Sequence, residues 1–347
     1  MQFFQKIRRS DFFIKLKSWE YWPFGIIQAP IFIYWLWLSL KARSLLFFSA
    51  SNPGILTGGM FGESKFSVLE KIPSSVKPKA ILIHHPTSSE LVIQKIKDNH
   101  LSFPLIFKPD LGERGWMVRK VKSESELIDY LKISKWDFII QEFVDWPLEF
   151  SVYYARHPKM ESGKVTSVTI KEMLKVTGDG RSKLSELILA KDRAKLQWHV
   201  LKNTHAHQLD NILGKGEQIE LVSVGNHCLG TAFINKKKII TKKMVESFDQ
   251  ISKQIEGFYF GRYDLRVQSI SDLEQGKIMI MELNGCGAEP SHIYHPGASM
   301  VDAIRDLFIH WHTIYTISKA NHKKGIPYMR LGEGIKIYKK FKAVTSS

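Results

Sequence analysis

Cysteine is almost absent: Cys228 and Cys286 are the only two in 347 residues, far apart and in no ligand-like spacing. That argues against a disulfide framework or a cysteine-type zinc site and fits a reducing compartment. No segment repeats at a fixed period, so nothing suggests a solenoid or propeller. The glycine-bearing stretch NPGILTGGMFGESK (52–65) lacks the GK[ST] ending of a P-loop, and a plain turn suits it better than a phosphate nest. An ordinary balance of 44% hydrophobic and 24% charged residues argues against wholesale disorder and against a polytopic membrane protein. The length allows two or three domains with a large core.

What the chain does have is positive charge, a net +16. Its distribution decides its meaning. Residues 1–43 carry +5 and residues 321–347 carry +6, leaving the long middle only mildly basic. A uniformly basic nucleic-acid-binding core is therefore not expected, and no nucleic-acid partner is.

Between Glu20 and Lys41 lie twenty uncharged residues, YWPFGIIQAPIFIYWLWLSL, long enough in principle to span a bilayer. Pro23 and Pro30 should interrupt a straight helix, Gln28 sits centrally, and Lys/Arg flank both ends, which leaves no positive-inside orientation. Its aromatic residues suit the membrane interface. An interfacial or re-entrant anchor is favoured over a buried docking helix or a true span. No A-x-A-like site follows, as a secretory signal would need.

Strands and helices alternate from Phe103 onward, giving an α+β (mixed α/β) class with antiparallel hairpins. Expected strands are 137–144, 151–156, 164–176, 219–224 and 277–283, with another at 80–84. Expected helices are 91–97, 123–132 (opened by a Ser123/Glu126 capping box), 182–200 and 244–258. The boundaries drawn are 1–47 for the apolar basic segment, 48–90 for a short connecting region, 91–320 for the main domain and 321–347 for a basic tail.

The stretch FGRYDLRV (260–267) followed by KIMIMELNG (277–285) can fold as an antiparallel hairpin. Strand alternation puts Arg262, Asp264 and Arg266 on one face, with Glu282 and Asn284 sharing a face on the partner. Two carboxylates and an amide oxygen are hard ligands of the kind Mg²⁺ uses beside nucleotide phosphates. The alternative is a solvated sheet face. Upstream, FPLIFKPDLGERGWMV (103–118) sets Lys108 at a strand end before a turn with Gly112 and Gly115, and Arg114 at its tip adds a second positive charge. Lysine is a compact charge for phosphate oxygens, and glycines let backbone amides approach them; an ordinary hairpin turn is the alternative.

The order FPLIFKPDLGERGWMV, IIQEFVDWPLEFSVYY (139–154), GRYD (261–264), MELNG (281–285) resembles the ATP-grasp superfamily, in particular its carboxylate–amine ligases such as D-alanine:D-alanine ligase. KVTGDGRSKLSELI (175–188) is similar to a stretch of cyanophycin-synthetase-type ligases. The resemblance covers about residues 90–315 and implies two α+β subdomains clasping ATP. It implies that Lys108 touches ATP phosphates under a lid loop at 112–117, and that Lys171 is a second phosphate-contacting lysine. Gln141, Glu142 and Val144 would form the adenine hinge, with Glu149 on the ribose. Arg262 would stabilise an oxyanion, and Asp264, Glu282 and Asn284 would hold two Mg²⁺, or Mn²⁺. Substrate would sit along 285–296, at Glu289, Ser291 and His292. The chain departs from the pattern in having no earlier phosphate-binding lysine, Lys95 and Lys97 fitting a solvated helix face better, and in the sequence after Asn284.

The activity implied is an ATP- and Mg²⁺-dependent ligase joining a small carboxylate to an amine through an acylphosphate. The alternatives are an ATP-grasp kinase acting on a hydroxyl and a non-catalytic, membrane-attached nucleotide-binding protein. Cys286 should lie near the site without a chemical role, His205 and His207 should be solvated, and Asn226 and His227 could line the substrate side. The terminal charge suggests a cytoplasmic protein held on the inner face of the membrane through residues 1–43 and 321–347.

Overall fold

The computed structural model describes residues 10–345 except 114, 223–224 and 226–229, and leaves the Phe24 side chain undescribed. Among the described residues, helices α1 (Asp11–Lys17) and α2 (Phe24–Ala42) precede a run of short 3-10 turns and α3 (Lys65–Glu70). The first sheet follows as β1 (Ala80–Ile83), α4 (Ser89–Asp98), β2 (Leu105–Pro109), β3 (Arg119–Val121), α5 (Glu124–Ile133) and β4 (Phe138–Glu142). Its order is β1-β4-β2-β3, antiparallel throughout. Ser88 and Ser123 cap α4 and α5, whose apolar faces (Val92, Ile96, Leu127, Tyr130) pack on Leu105, Phe107 and Phe138.

The second sheet is built from β5 (Leu148–Ala155), β6 (Lys164–Glu172), β9 (Ala232–Asn235), β10 (Phe260–Val267) and β11 (Met279–Asn284), in the antiparallel order β11-β10-β5-β6-β9. A satellite unit of β7 (Lys175–Thr177), α6 (Leu184–Ala190), α7 (Asp192–Lys195), α8 (Trp198–Thr204) and β8 (Gln218–Glu220) has a small core of its own. One face of the large sheet (Val152, Tyr154, Tyr263, Leu265, Val267) is buried against α9 (Lys242–Lys253) and α10 (Ile270–Gln275). Thr241 caps α9, which turns Met244, Phe248 and Ile251 inward. The alternate residues of β5 and β10 form the other, polar face, as strand periodicity requires. The expected α+β class is the one observed.

Several expectations need correcting. β1 pairs along its length with β4, so the boundary drawn at residue 90 cuts the first subdomain, which begins by Ala80. The expected helix 182–200 breaks into three, with Lys191 in extended backbone between α6 and α7 and Leu196 and Gln197 separating α7 from α8. The 164–176 strand ends at Glu172 and resumes as β7, pairing β8 instead of β9. His205 is buried, not solvated, its Nε2 against the Leu221 carbonyl at 3.0 Å and its Nδ1 against the Gln208 amide. The expected basic tail is the end of α11 (Met300–Lys323) followed by α12 (Leu331–Thr345), which buries Phe341 and sets Gly334 against Leu46.

Helix α2 runs unbroken through Pro30, which costs one backbone hydrogen bond, and docks on α11. Ile27 and Ile31 pack with Trp19, Ile293, Ala303 and Leu307. It is long and apolar enough to cross a membrane by length and composition, and 28% of its apolar window is buried.

Candidate active site

The expected hairpin exists, in the register that unites its polar residues: Asp264 lies opposite Glu282, and Arg262 opposite Asn284. Asp264 is buried. Its Oδ2 accepts from Arg262 (3.1 Å) and from the Asn284 amide (3.1 Å), and its Oδ1 accepts from Ser151 and faces Lys171 Nζ at 3.3 Å. Burial works to raise its pKa, but Arg262 and Lys171, with the Ser151 hydroxyl, hold it down at about 2. Glu282 is half-buried and has no hydrogen-bond or ion-pair partner among the described residues. Arg262 also donates through NH1 to the Glu289 carbonyl (3.0 Å), while its buried Nε–H has no acceptor. A buried, unsatisfied guanidinium donor costs free energy unless a ligand oxygen completes it.

The register slips between Asp264 and Leu265, leaving Met281 as an extra, bulged residue of β11. Its carbonyl turns toward the first sheet, where it accepts from Lys108 Nζ (3.1 Å) and Gln141 Nε2 (3.3 Å). Lys108 also donates to Gln141 Oε1 at 2.8 Å. Burial pushes the Lys108 pKa down to about 8, against the pull of Glu282. The phosphate role that the resemblance implies for Lys108 predicts a KM for ATP that climbs between pH 7 and 9.5, as the lysine loses its charge through about 8. The stability sign is the reverse. The unfolded lysine titrates near 10.5, so this group's contribution is complete above that value and is lost as pH falls through about 8.

Lys171 and Glu149 share the polar face. Lys171 pairs with Glu149 at 3.0 Å, and Arg266 binds the same carboxylate at 3.1 Å while holding the carbonyls of Val144 and Trp146. Burial opposes the charge on Lys171, yet Asp264 and Glu149 raise its pKa. Glu149 is thus engaged by two cations, and Arg266, which no motif singled out, fixes the 144–146 turn to it. Glu142 is exposed at the end of β4, its carboxylate accepting from the Lys79 amide.

The loop after β11 threads against the glycine-rich run. The amides of Cys286 and Gly287 donate to the carbonyls of Gly58 (3.0 Å) and Gly59 (2.9 Å). A Cβ on Gly59 would lie 2.6 Å from Gly285 Cα, so glycine is needed on both sides. Cys286 is buried there, its thiol pushed up to about 12 by burial. Glu289 accepts from Gln28 Nε2 and from the Tyr294 hydroxyl. Ser291 is buried, and His292 is held between Ser167 Oγ (2.8 Å) and Asp306 (2.9 Å). Asp179 of the GDG stretch caps the turn before α6, accepting from the amides of Arg181 and Ser182.

Two residues escaped the motif reading. Lys65, at the end of the glycine-rich run, reaches the Gly112 carbonyl and ties that run to the expected lid turn. Glu63 has a buried Oε2 with no partner; burial raises its pKa, with Glu113 and Glu282 adding to the effect and Lys65 opposing it. Glu63→Gln is expected to stabilise the protein at pH 7 by on the order of 1 kcal/mol. Thermal melts should show the gain disappearing below pH 4.5, where the carboxyl is protonated in both states. Arg114, Asn226 and His227 lie outside the described residues.

No group of three His, Cys, Asp or Glu among the described residues makes a metal site by itself. Mg²⁺ characteristically uses one or two carboxylates and completes its shell with water and phosphate. Asp264, the unpartnered Glu282 and the Asn284 amide oxygen fit that demand.

No family model matches the chain, and no curated protein does. Among solved structures it is similar to the VanG D-Ala:D-Ser ligase of Enterococcus faecalis, with 14% identity and a TM-score of 0.43 over 74% of this chain and 64% of that one. It is also similar to the D-alanine–D-alanine ligase of Bacillus anthracis, with 13% identity and a TM-score of 0.43 over 78% and 72%. A bifunctional glutathione synthetase of Pasteurella multocida matches with 14% identity and a TM-score of 0.37 over 71% of this chain, which spans only 36% of that protein.

Proposed function

We propose that the protein is an ATP- and Mg²⁺-dependent ligase that joins a small carboxylate to an amine. The observation that carries this reading is the buried, unsatisfied Nε–H of half-buried Arg262, beside the opposed pair Asp264 and Glu282. The substrate carboxylate attacks the γ-phosphorus of ATP, giving an acylphosphate and ADP. The amine then forms the C–N bond, the bond to phosphate breaks, and phosphate and a proton leave.

Lys108 and Lys171 supply positive charge at the phosphates, Lys108 by leaving Gln141 and the Met281 carbonyl. Gly112 and Gly115 would bring backbone amides over the phosphates, with Arg114 between them. Gln141, Glu142 and Val144 would border the adenine and Glu149 the ribose. Asp264, Glu282 and Asn284 would hold Mg²⁺, which when bound neutralises phosphate charge. Arg262 faces the tetrahedral oxyanion, where a pre-placed donor acts most strongly. Glu289, Ser291 and His292 border the acceptor. The enzyme works in the cytoplasm, peripheral on the inner face of the membrane.

The test is product detection from ATP and Mg²⁺ with panels of amino acids and amines. ADP with a new amide is expected. ADP with a phosphorylated alcohol would make the protein a kinase, and no turnover with any pair would leave only a nucleotide-binding role.

A further inference from the structure

Helix α2 carries its polarity the wrong way round for a helix facing water. Its protein-facing side buries Gln28 and Ser39 among Ile27, Ile31 and Leu38. Its open side presents Ile26, Phe32, Ile33, Leu36, Trp37 and Leu40, each 46–78% exposed and spaced along one face. A contiguous apolar stripe of this kind marks an interaction surface. Its ends are basic. Lys15 and Lys17 of α1 are exposed beside the start of α2, where Trp22 Nε1 donates to the Lys15 carbonyl at 3.0 Å. At the other end Lys41 lies over the Trp37 ring at 4.0 Å, followed by exposed Arg43. An apolar face rimmed by lysine and arginine, with no acidic residue in the helix, suits the headgroup boundary of an anionic bilayer.

The inner side of the same helix enters the acceptor loop. Gln28 and Tyr294 fix the two oxygens of Glu289, whose carbonyl accepts from Arg262. Both side-chain donors are neutral, and no cation lies within ion-pair distance of this carboxylate among the described residues. A half-buried carboxylate held only by neutral donors keeps a charge that a cation would offset.

We propose that the acceptor is the primary amine of a membrane-resident amphiphile. Glu289 receives its ammonium group and takes a proton from it, the neutral amine then attacks the acylphosphate carbon and phosphate leaves, while the outer face of α2 rests on the bilayer; this rests on the ligase reading. Flotation of the full chain with 3:1 phosphatidylcholine:phosphatidylglycerol vesicles tests the docking. The wild-type protein should float. The variant Ile33→Glu/Leu36→Glu/Leu40→Glu should stay behind with an unchanged melt, since all three side chains are exposed. Phosphatidylethanolamine in those vesicles, compared with soluble ethanolamine, tests the acceptor in the presence of ATP, Mg²⁺ and a carboxylate panel. Lipid amide should form at least ten times faster than soluble amide. Glu289→Gln should lose it at least tenfold while still floating. Wild-type protein that does not float, a triple variant that does, or equal use of soluble amine would overturn the proposal. Absence of any ATP turnover would sink the ligase reading and the acceptor with it, whereas flotation decides the docking by itself.

Discussion

Glu282→Gln is expected to reduce ATP turnover by at least about 10²–10³-fold while leaving the thermal midpoint where it was. The side chain is half-buried and makes no contact that the fold would miss, so the loss reports cation binding together with the pull that Glu282 exerts on the charge of Lys108. Asp264→Asn should lose turnover to the same extent and also destabilise the protein, by about 3 kcal/mol, because it removes the buried charge between Arg262 and Lys171. A mild, solvent-side substitution would be the expectation from the strand pattern alone; burial makes Asp264 structural as well. Its low pKa keeps it ionised across the working range. Its stabilising share is present above the ordinary value of 3.8 and disappears only as pH falls through about 2. Steady-state ADP release and calorimetric melts of the two variants check both halves, and undiminished turnover in both would remove the metal assignment.

Arg262→Lys should lower amide formation by about 10²–10³-fold, since a lysine keeps the charge but cannot hold Asp264, the Glu289 carbonyl and a developing oxyanion together. Phosphoryl transfer precedes the oxyanion, so ADP formation should fall less than amide formation. The excess ADP then measures acylphosphate lost to water. The ratio of ADP to amide, taken from single reactions by chromatography, is the readout. A ratio unchanged from wild type would place Arg262 outside the acyl step.

The strand pattern of 260–267 and 277–285 foretold the hairpin and the shared face of Arg262, Asp264, Glu282 and Asn284, because alternation is a local property of the backbone. What it could not foretell was the bulge at Met281, a property of how two strands meet. Glu63 and Lys65 were hidden for a similar reason. The Gly112 carbonyl that Lys65 reaches and the Glu113 and Glu282 charges that act on Glu63 lie far along the chain, and a glycine-rich run reads as a turn until its neighbour is known. The two ends of the chain were legible as apolar and basic but not as packed. Leu46 against Gly334, and Ile31 beside Leu307, are contacts across almost the full length. His205 misled because a polar neighbourhood in sequence, NTHAHQ, folds over the satellite core.

The bulged carbonyl of Met281 has a mechanical meaning. It accepts from Lys108 and Gln141 of the first sheet, so the two sheets are latched to each other through a lysine. Under the proposed function, nucleotide entry would exchange one lysine partner for another, and the grip between the sheets would pass from a fixed carbonyl to the ligand.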